Sequence, residues 1–202
     1  MSNAHLTSSS EYDRLSVEAV KKVAPSVVSI VISKYLPNIK GFYPAPFFNP
    51  FFFGDAEEGT KEKIKIGGGS GFIVHPDGLI LTNKHVVFDP EAEYTVITID
   101  LQEYPAKVLS RDPINDIAVL KIQDKGLPTV RLGNSLKLEL GQTVIAIGNA
   151  LGIFSNTVSK GIVSGLSRSI SASLGEKGQM EHLRGVLQTD VAINQGNSGG
   201  PL

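Results

Sequence analysis

Cysteine is absent from the 202 residues, and so is tryptophan. Without cysteine there is no disulfide framework, no thiolate zinc site and no cysteine nucleophile. No run of about 18 continuous apolar residues occurs, so the sequence holds no membrane-spanning helix. Charge of one sign is lacking too: 19 basic residues stand against 20 acidic ones, for a net charge of −1. That balance gives no reason to expect nucleic acid or an anionic membrane as partner. The first ten residues are too polar for a secretory signal. What the chain has in quantity is glycine, 21 residues, and proline, 11, which suits a turn-rich β protein better than a helical one. Apolar residues make up 41%, ordinary for a chain with a core. The run Gly67-Gly68-Gly69-Ser70-Gly71 lacks the Lys-Ser/Thr ending of a phosphate loop and the strand–helix setting of a dinucleotide site. No cofactor and no metal is expected.

The last residues carry the strongest signal. Gly196-Asn197-Ser198-Gly199-Gly200-Pro201-Leu202 reads as a tight turn that holds a serine hydroxyl outward. Glycines allow such a turn and let a substrate approach the backbone. Taken alone, a glycine-rich turn with an incidental serine would look the same. A nucleophilic serine needs a base, usually a histidine oriented by a carboxylate. Of the four histidines, His5 lies in the polar leader, His75 precedes the turn Pro76-Asp77-Gly78, and His182 sits in a polar stretch. His85 differs. The apolar run Leu79-Ile80-Leu81 delivers it to the start of a short turn or helix. Asp116 is the carboxylate candidate, because it opens the apolar strand Ile117–Leu120 and must be paired if it faces a core. Asp112, directly before Pro113, fits a turn cap instead. The order His85, Asp116, Ser198 is that of the double β-barrel proteases.

Along the chain, Ser16 to Ala24 predicts a short helix with Ser16 as its N-cap and Pro25 as its stop. Ser26 to Ser33 predicts a β-branched strand. Residues 34–66 read as a long aperiodic insertion holding Phe42, Tyr43, Phe47, Phe48 and Phe51 to Phe53. Further strands are expected near 69–75, 79–82, 94–100, 104–110 and 117–122, with a link over 123–141. Strands then follow near 142–148, 157–167 and 185–191, with a polar loop over 168–184.

Thr82-Asn83-Lys84-His85-Val86-Val87, Asp116-Ile117-Ala118-Val119-Leu120 and Gln188-Thr189-Asp190 through Pro201-Leu202 together resemble the HtrA/DegP family of trypsin-like serine proteases. Gly69-Ser70-Gly71-Phe72-Ile73-Val74 and Val158-Ser159-Lys160-Gly161-Ile162-Val163-Ser164 agree. Lys84 and Gln195 depart from the common family residues, at positions that supply no chemistry. The resemblance implies an all-β, chymotrypsin-like double β-barrel whose second barrel is incomplete in this chain. It divides the chain into a disordered leader (1–14), a first barrel (15–125) with the aromatic loop 34–66, and a partial second barrel (126–202). It implies an ATP-independent endopeptidase acting on unfolded polypeptide, with His85 as general base, Asp116 as its orienter and Ser198 as nucleophile. The N–H groups of Gly196 and Ser198 become the oxyanion hole. Ile193 and Asn194 are expected at the near wall of the substrate-binding pocket. The family further implies envelope protein quality control, a homotrimer, a regulatory loop within 168–184, and strands and PDZ domains downstream. Without those strands a poor protease is expected, and the alternative is a polypeptide-binding or chaperone module.

Overall fold

The computed structural model describes residues 11–39, 56–150, 154–174, 179–192 and 196–202. The aromatic residues of 42–53, and Ile193 and Asn194, lie outside these residues.

Helix α1 spans Glu11–Val23. Acidic Glu11 and Asp13 in its first turn and basic Lys21 and Lys22 in its last complement the helix dipole. Arg14 pairs with Glu18 one turn on, at 3.0 Å. The helix therefore starts before Ser16, which is no N-cap: its hydroxyl donates to the Tyr12 carbonyl, 3.0 Å. Pro25 lies in the 3-10 turn Ala24–Ser26 that ends the helix.

Six antiparallel strands follow: β1 (Val27–Ile39), β2 (Ala56–His75), β3 (Leu79–Thr82), β4 (Glu93–Ile97), β5 (Glu103–Arg111) and β6 (Ala118–Lys121). They close a barrel in the order β1-β2-β3-β6-β5-β4. Val28, Ile30, Ile73, Ile80, Val96, Leu120 and Ile122 fill it, each fully buried. The start of β1, Val27–Val31, is apolar apart from Ser29 because both its faces are covered. Val28 and Ile30 face the barrel core, while Val27, Ser29 and Val31 are buried on the other side. The β2–β3 turn needs Gly78 at φ +89°, where a Cβ would also press on Ile122. The stretch 34–66 is not one loop. Residues 34–39 and 56–66 extend the β1–β2 hairpin, with Tyr35 opposite Lys63 and Ile39 opposite Ala56. The ladder hides this from sequence reading because backbone pairing needs no apolar alternation.

After a linking segment with a 3-10 turn at Ser135–Lys137, β7 (Thr143–Ala150), β8 (Phe154–Leu174) and β9 (Gln179–Thr189) form an open antiparallel sheet. This is the incomplete second barrel. The polar stretch 168–184 is largely strand rather than loop, since Ile170 pairs with Leu183 and Leu174 with Gln179. Shifts of register between Val163 and Ile170 mark bulges, and Ser167 there takes φ 47°. Helix α1 lies against this sheet. The Tyr12 hydroxyl is 2.8 Å from the Thr143 hydroxyl, and Lys160 donates to Ser16 at 2.7 Å with its ammonium 3.5 Å from the centre of the Tyr12 ring.

Candidate active site

His85 belongs to a 3-10 turn, Lys84–Val87, directly after β3. Val86 and Val87 of that turn drop into the barrel core, with 4% and 0% of their surface exposed. Burying two valines anchors the turn by roughly 1.5–3 kcal/mol apiece. His85 itself points out of the core and is half-exposed. Arg111 braces the far end of the turn, its Nε donating to the Val87 carbonyl at 2.7 Å.

Asp116 lies in the bend before β6 rather than within the strand. Asp112 shapes that bend as a turn cap, accepting from the N–H groups of Ile114 and Asn115 at 2.8 and 2.6 Å. Both oxygens of Asp116 then hold His85. Oδ2 meets the ring Nδ1 at 2.6 Å, and Oδ1 accepts from the His85 backbone N–H at 2.8 Å. Asn83 ties the same two segments together, donating from Nδ2 to the Asp116 carbonyl at 2.8 Å. Burial would raise the Asp116 carboxyl, but the hydrogen bonds and charge of His85 outweigh it and hold the carboxyl below its usual value. An ionised carboxylate only accepts, so Nδ1 carries the ring proton and Nε2 is left as the basic nitrogen.

Ser198 comes from the other half of the molecule, after β9, and its turn lies against the first barrel. The Ser70 N–H donates to the Ser198 carbonyl, 2.8 Å, and the Ser70 hydroxyl donates to the Gly196 carbonyl. On the other side, the Ile147 N–H of β7 donates to the Pro201 carbonyl, 3.1 Å. Gly196 and Gly199 take φ of 105° and 86°. A side chain on Gly199 would overlap the Ser70 carbonyl and the Thr82 hydroxyl, and would stand 3.2 Å from the Asn83 nitrogen. The serine turn is thus seated two residues upstream of His85. No hydrogen bond joins Ser198 to His85 among the described residues, and such contacts often tighten only with substrate bound.

The trypsin-like peptidase domain model matches residues 69–202, most of the chain. This chain belongs to that family. A probable periplasmic serine endoprotease, DegP-like, from Ectopseudomonas mendocina is 39% identical over 199 residues, covering 91% of this chain and 40% of the relative. A putative serine protease HhoB from Synechocystis sp. is 41% identical over 185 residues, covering 91% of this chain and 43% of the relative. The chain therefore spans about two fifths of the length of the curated relatives it matches. Among solved structures, the HtrA-type protease AlgW with a decapeptide is similar at TM-score 0.68 and 34% identity, over 91% of this chain and 54% of that one. The crystal structure of Deg5 matches at TM-score 0.67 and 32% identity, over 95% of this chain and 79% of that one. Within the family, its relatives are thus HtrA and DegP proteases, as the motifs imply.

Gly196 and Ser198 are held against the first barrel by Ser70, and Gly199 sits beside Thr82 and Asn83, the residues that lead to His85. Sequence reading misses their supports. Ser70, Thr82 and Asn149 are buried polar residues, the one signal that marks them, whereas the hydroxyl of Ser29, also buried, meets only the Asn149 carbonyl among the described hydrogen bonds. The Thr82 hydroxyl donates to the Ser70 carbonyl, 2.6 Å, the Asn149 N–H donates to the Ser70 hydroxyl, 2.7 Å, and the Ser29 hydroxyl donates to the Asn149 carbonyl, 2.6 Å.

Proposed function

We propose that the chain carries the catalytic part of an ATP-independent serine endopeptidase that cleaves unfolded or exposed polypeptide. His85 is the general base, Asp116 orients it, and Ser198 is the nucleophile. The observation that carries this reading is the double grip of Asp116 on His85, with the Ser198 turn seated against the strand that leads to that histidine. A binding module has no use for an imidazole oriented in this way. Nε2 takes the Ser198 proton as the hydroxyl attacks the scissile carbonyl, and returns it to the leaving amine. The N–H groups of Gly196 and Ser198 receive the oxyanion. The same reading assigns Ile193 and Asn194, which lie outside the described residues, to binding of the substrate side chain. The family relation supports a periplasmic or envelope location, a role in protein quality control and a homotrimer. Among the described residues no helix is long and apolar enough to cross a membrane. In the same reading residues 15–125 form the first unit and 126–202 part of the second.

Ser198→Ala in the full-length protein is expected to lower casein and peptide hydrolysis by several powers of ten while the thermal transition stays in place. Undiminished casein cleavage by the purified variant would remove Ser198 from the mechanism.

A further inference from the structure

Ser70 has none of its surface exposed, yet every polar group it owns is engaged. Its N–H donates to the Ser198 carbonyl and its hydroxyl to the Gly196 carbonyl. The same hydroxyl accepts from the Asn149 N–H, and its carbonyl accepts from the Thr82 hydroxyl. The two carbonyls it grips belong to the peptide groups on either side of the one that carries the Ser198 N–H. A peptide group is planar, so with its two neighbours held, that N–H can turn only by a coupled rotation about ψ of Asn197 and φ of Ser198. The peptide carrying the Gly196 N–H ends at the same gripped residue.

We propose that Ser70 is a positioning residue for the oxyanion-binding turn, acting on the N–H groups of Gly196 and Ser198 from the first barrel. The inference rests on the reading of Ser198 as nucleophile. Ser70 touches neither His85 nor Asp116 among the described hydrogen bonds, so its effect falls on the oxyanion and not on the base. The backbone bond to Ser198 survives any substitution at this position. Ser70→Ala therefore isolates the hydroxyl, which among the described residues is the one side-chain link to the Gly196 carbonyl.

The test compares Ser70→Ala with Ser29→Ala in the full-length protein. Ser29 loses a buried bond to the far side of Asn149 and touches no residue of the turn. Both variants should melt at a lower temperature. Measured well below those transitions, Ser70→Ala should lose roughly 10- to 100-fold in kcat on a peptide ester and in affinity for a peptide boronate, which mimics the tetrahedral adduct. Its KM and the pH midpoint of kcat/KM should stay where they are in the wild type. Ser29→Ala should keep kcat and boronate affinity within about twofold of wild type, because the oxyanion donors are untouched. Ser70→Cys retains a weak donor and should recover part of the loss, and it takes the place of Ser70→Ala should that variant fail to fold. Wild-type kcat and boronate affinity in a folded Ser70 variant, or an equal loss in Ser29→Ala, overturns the inference. A wild-type protein with no Ser198-dependent turnover overturns the protease reading instead.

Discussion

At the scale of single residues, the informative feature is that Asp116 uses both oxygens on one neighbour. A single contact to Nδ1 would leave the imidazole free to swing about its bond to the carboxylate. The second contact, to the His85 backbone N–H, fixes the carboxylate plane against the turn that carries the ring. Asp116→Asn keeps the shape but offers an amide where an acceptor is needed, which favours the wrong tautomer. We expect a fall in kcat of roughly 10⁴-fold, measured on a peptide substrate at neutral pH. The same pair predicts a pH effect on stability. The folded carboxyl titrates below its ordinary value of about 3.9. Its contribution is therefore complete above that unfolded value and is lost as pH falls through the lower folded one. Urea unfolding of wild type and Asp116→Asn between about pH 6 and pH 2.5 should show the gap between them narrowing with acid. A gap that widens as the pH falls would reverse the assigned sign.

At the scale of elements, the 3-10 turn Lys84–Val87 is where core packing and chemistry meet. Its outward residue is His85, and its inward residues are Val86 and Val87. Val87→Ala removes two buried methyl groups from a full core and should cost about 2 kcal/mol in stability, read from denaturant midpoints. Because Arg111 and Asp116 still hold the turn, kcat should fall far less than for Asp116→Asn. A folded Val87→Ala protein as inactive as Asp116→Asn would show that packing, not the carboxylate, sets the ring. The turn was legible in sequence because an apolar strand delivers a histidine to a polar position. So were the barrel strands β3 and β6, whose apolar runs are short and bounded by turn residues. The long hairpin arms of β1–β2 and β8–β9 were not. Lys63, Lys65, Arg168 and Ser171 sit in ladders that backbone hydrogen bonds hold without an apolar stripe, so they read as loop. Ser16 misled in a related way. A serine before valines at helical spacing looks like a cap, yet Glu11 and Asp13 had already begun the helix.

At the scale of the whole molecule, the site is shared between two halves that meet through buried hydroxyls. Ser29 of β1 reaches Asn149 of β7, Asn149 reaches Ser70 of β2, and Ser70 reaches the serine turn. None of these contacts follows from local periodicity, because they join residues 120, 79 and 126 positions apart. The catalytic candidates stand in dense local motifs, whereas their supports are single polar residues whose partners lie far off in sequence. We propose that the aromatic segment 42–53, with seven rings, makes contacts between copies of the chain, as the family relation suggests. Its deletion should change the molar mass found by light scattering of the full-length protein, and an unaltered mass would remove it from the assembly. The central claim, that His85 and Asp116 activate Ser198, is tested most directly by the rate at which a fluorophosphonate labels the full-length protein, with the adduct mapped by mass spectrometry. The account predicts a single adduct on Ser198 in the wild type, slowed by at least several hundredfold in His85→Ala. Label on another residue, or labelling of Ser198 at the same rate without His85, would contradict it.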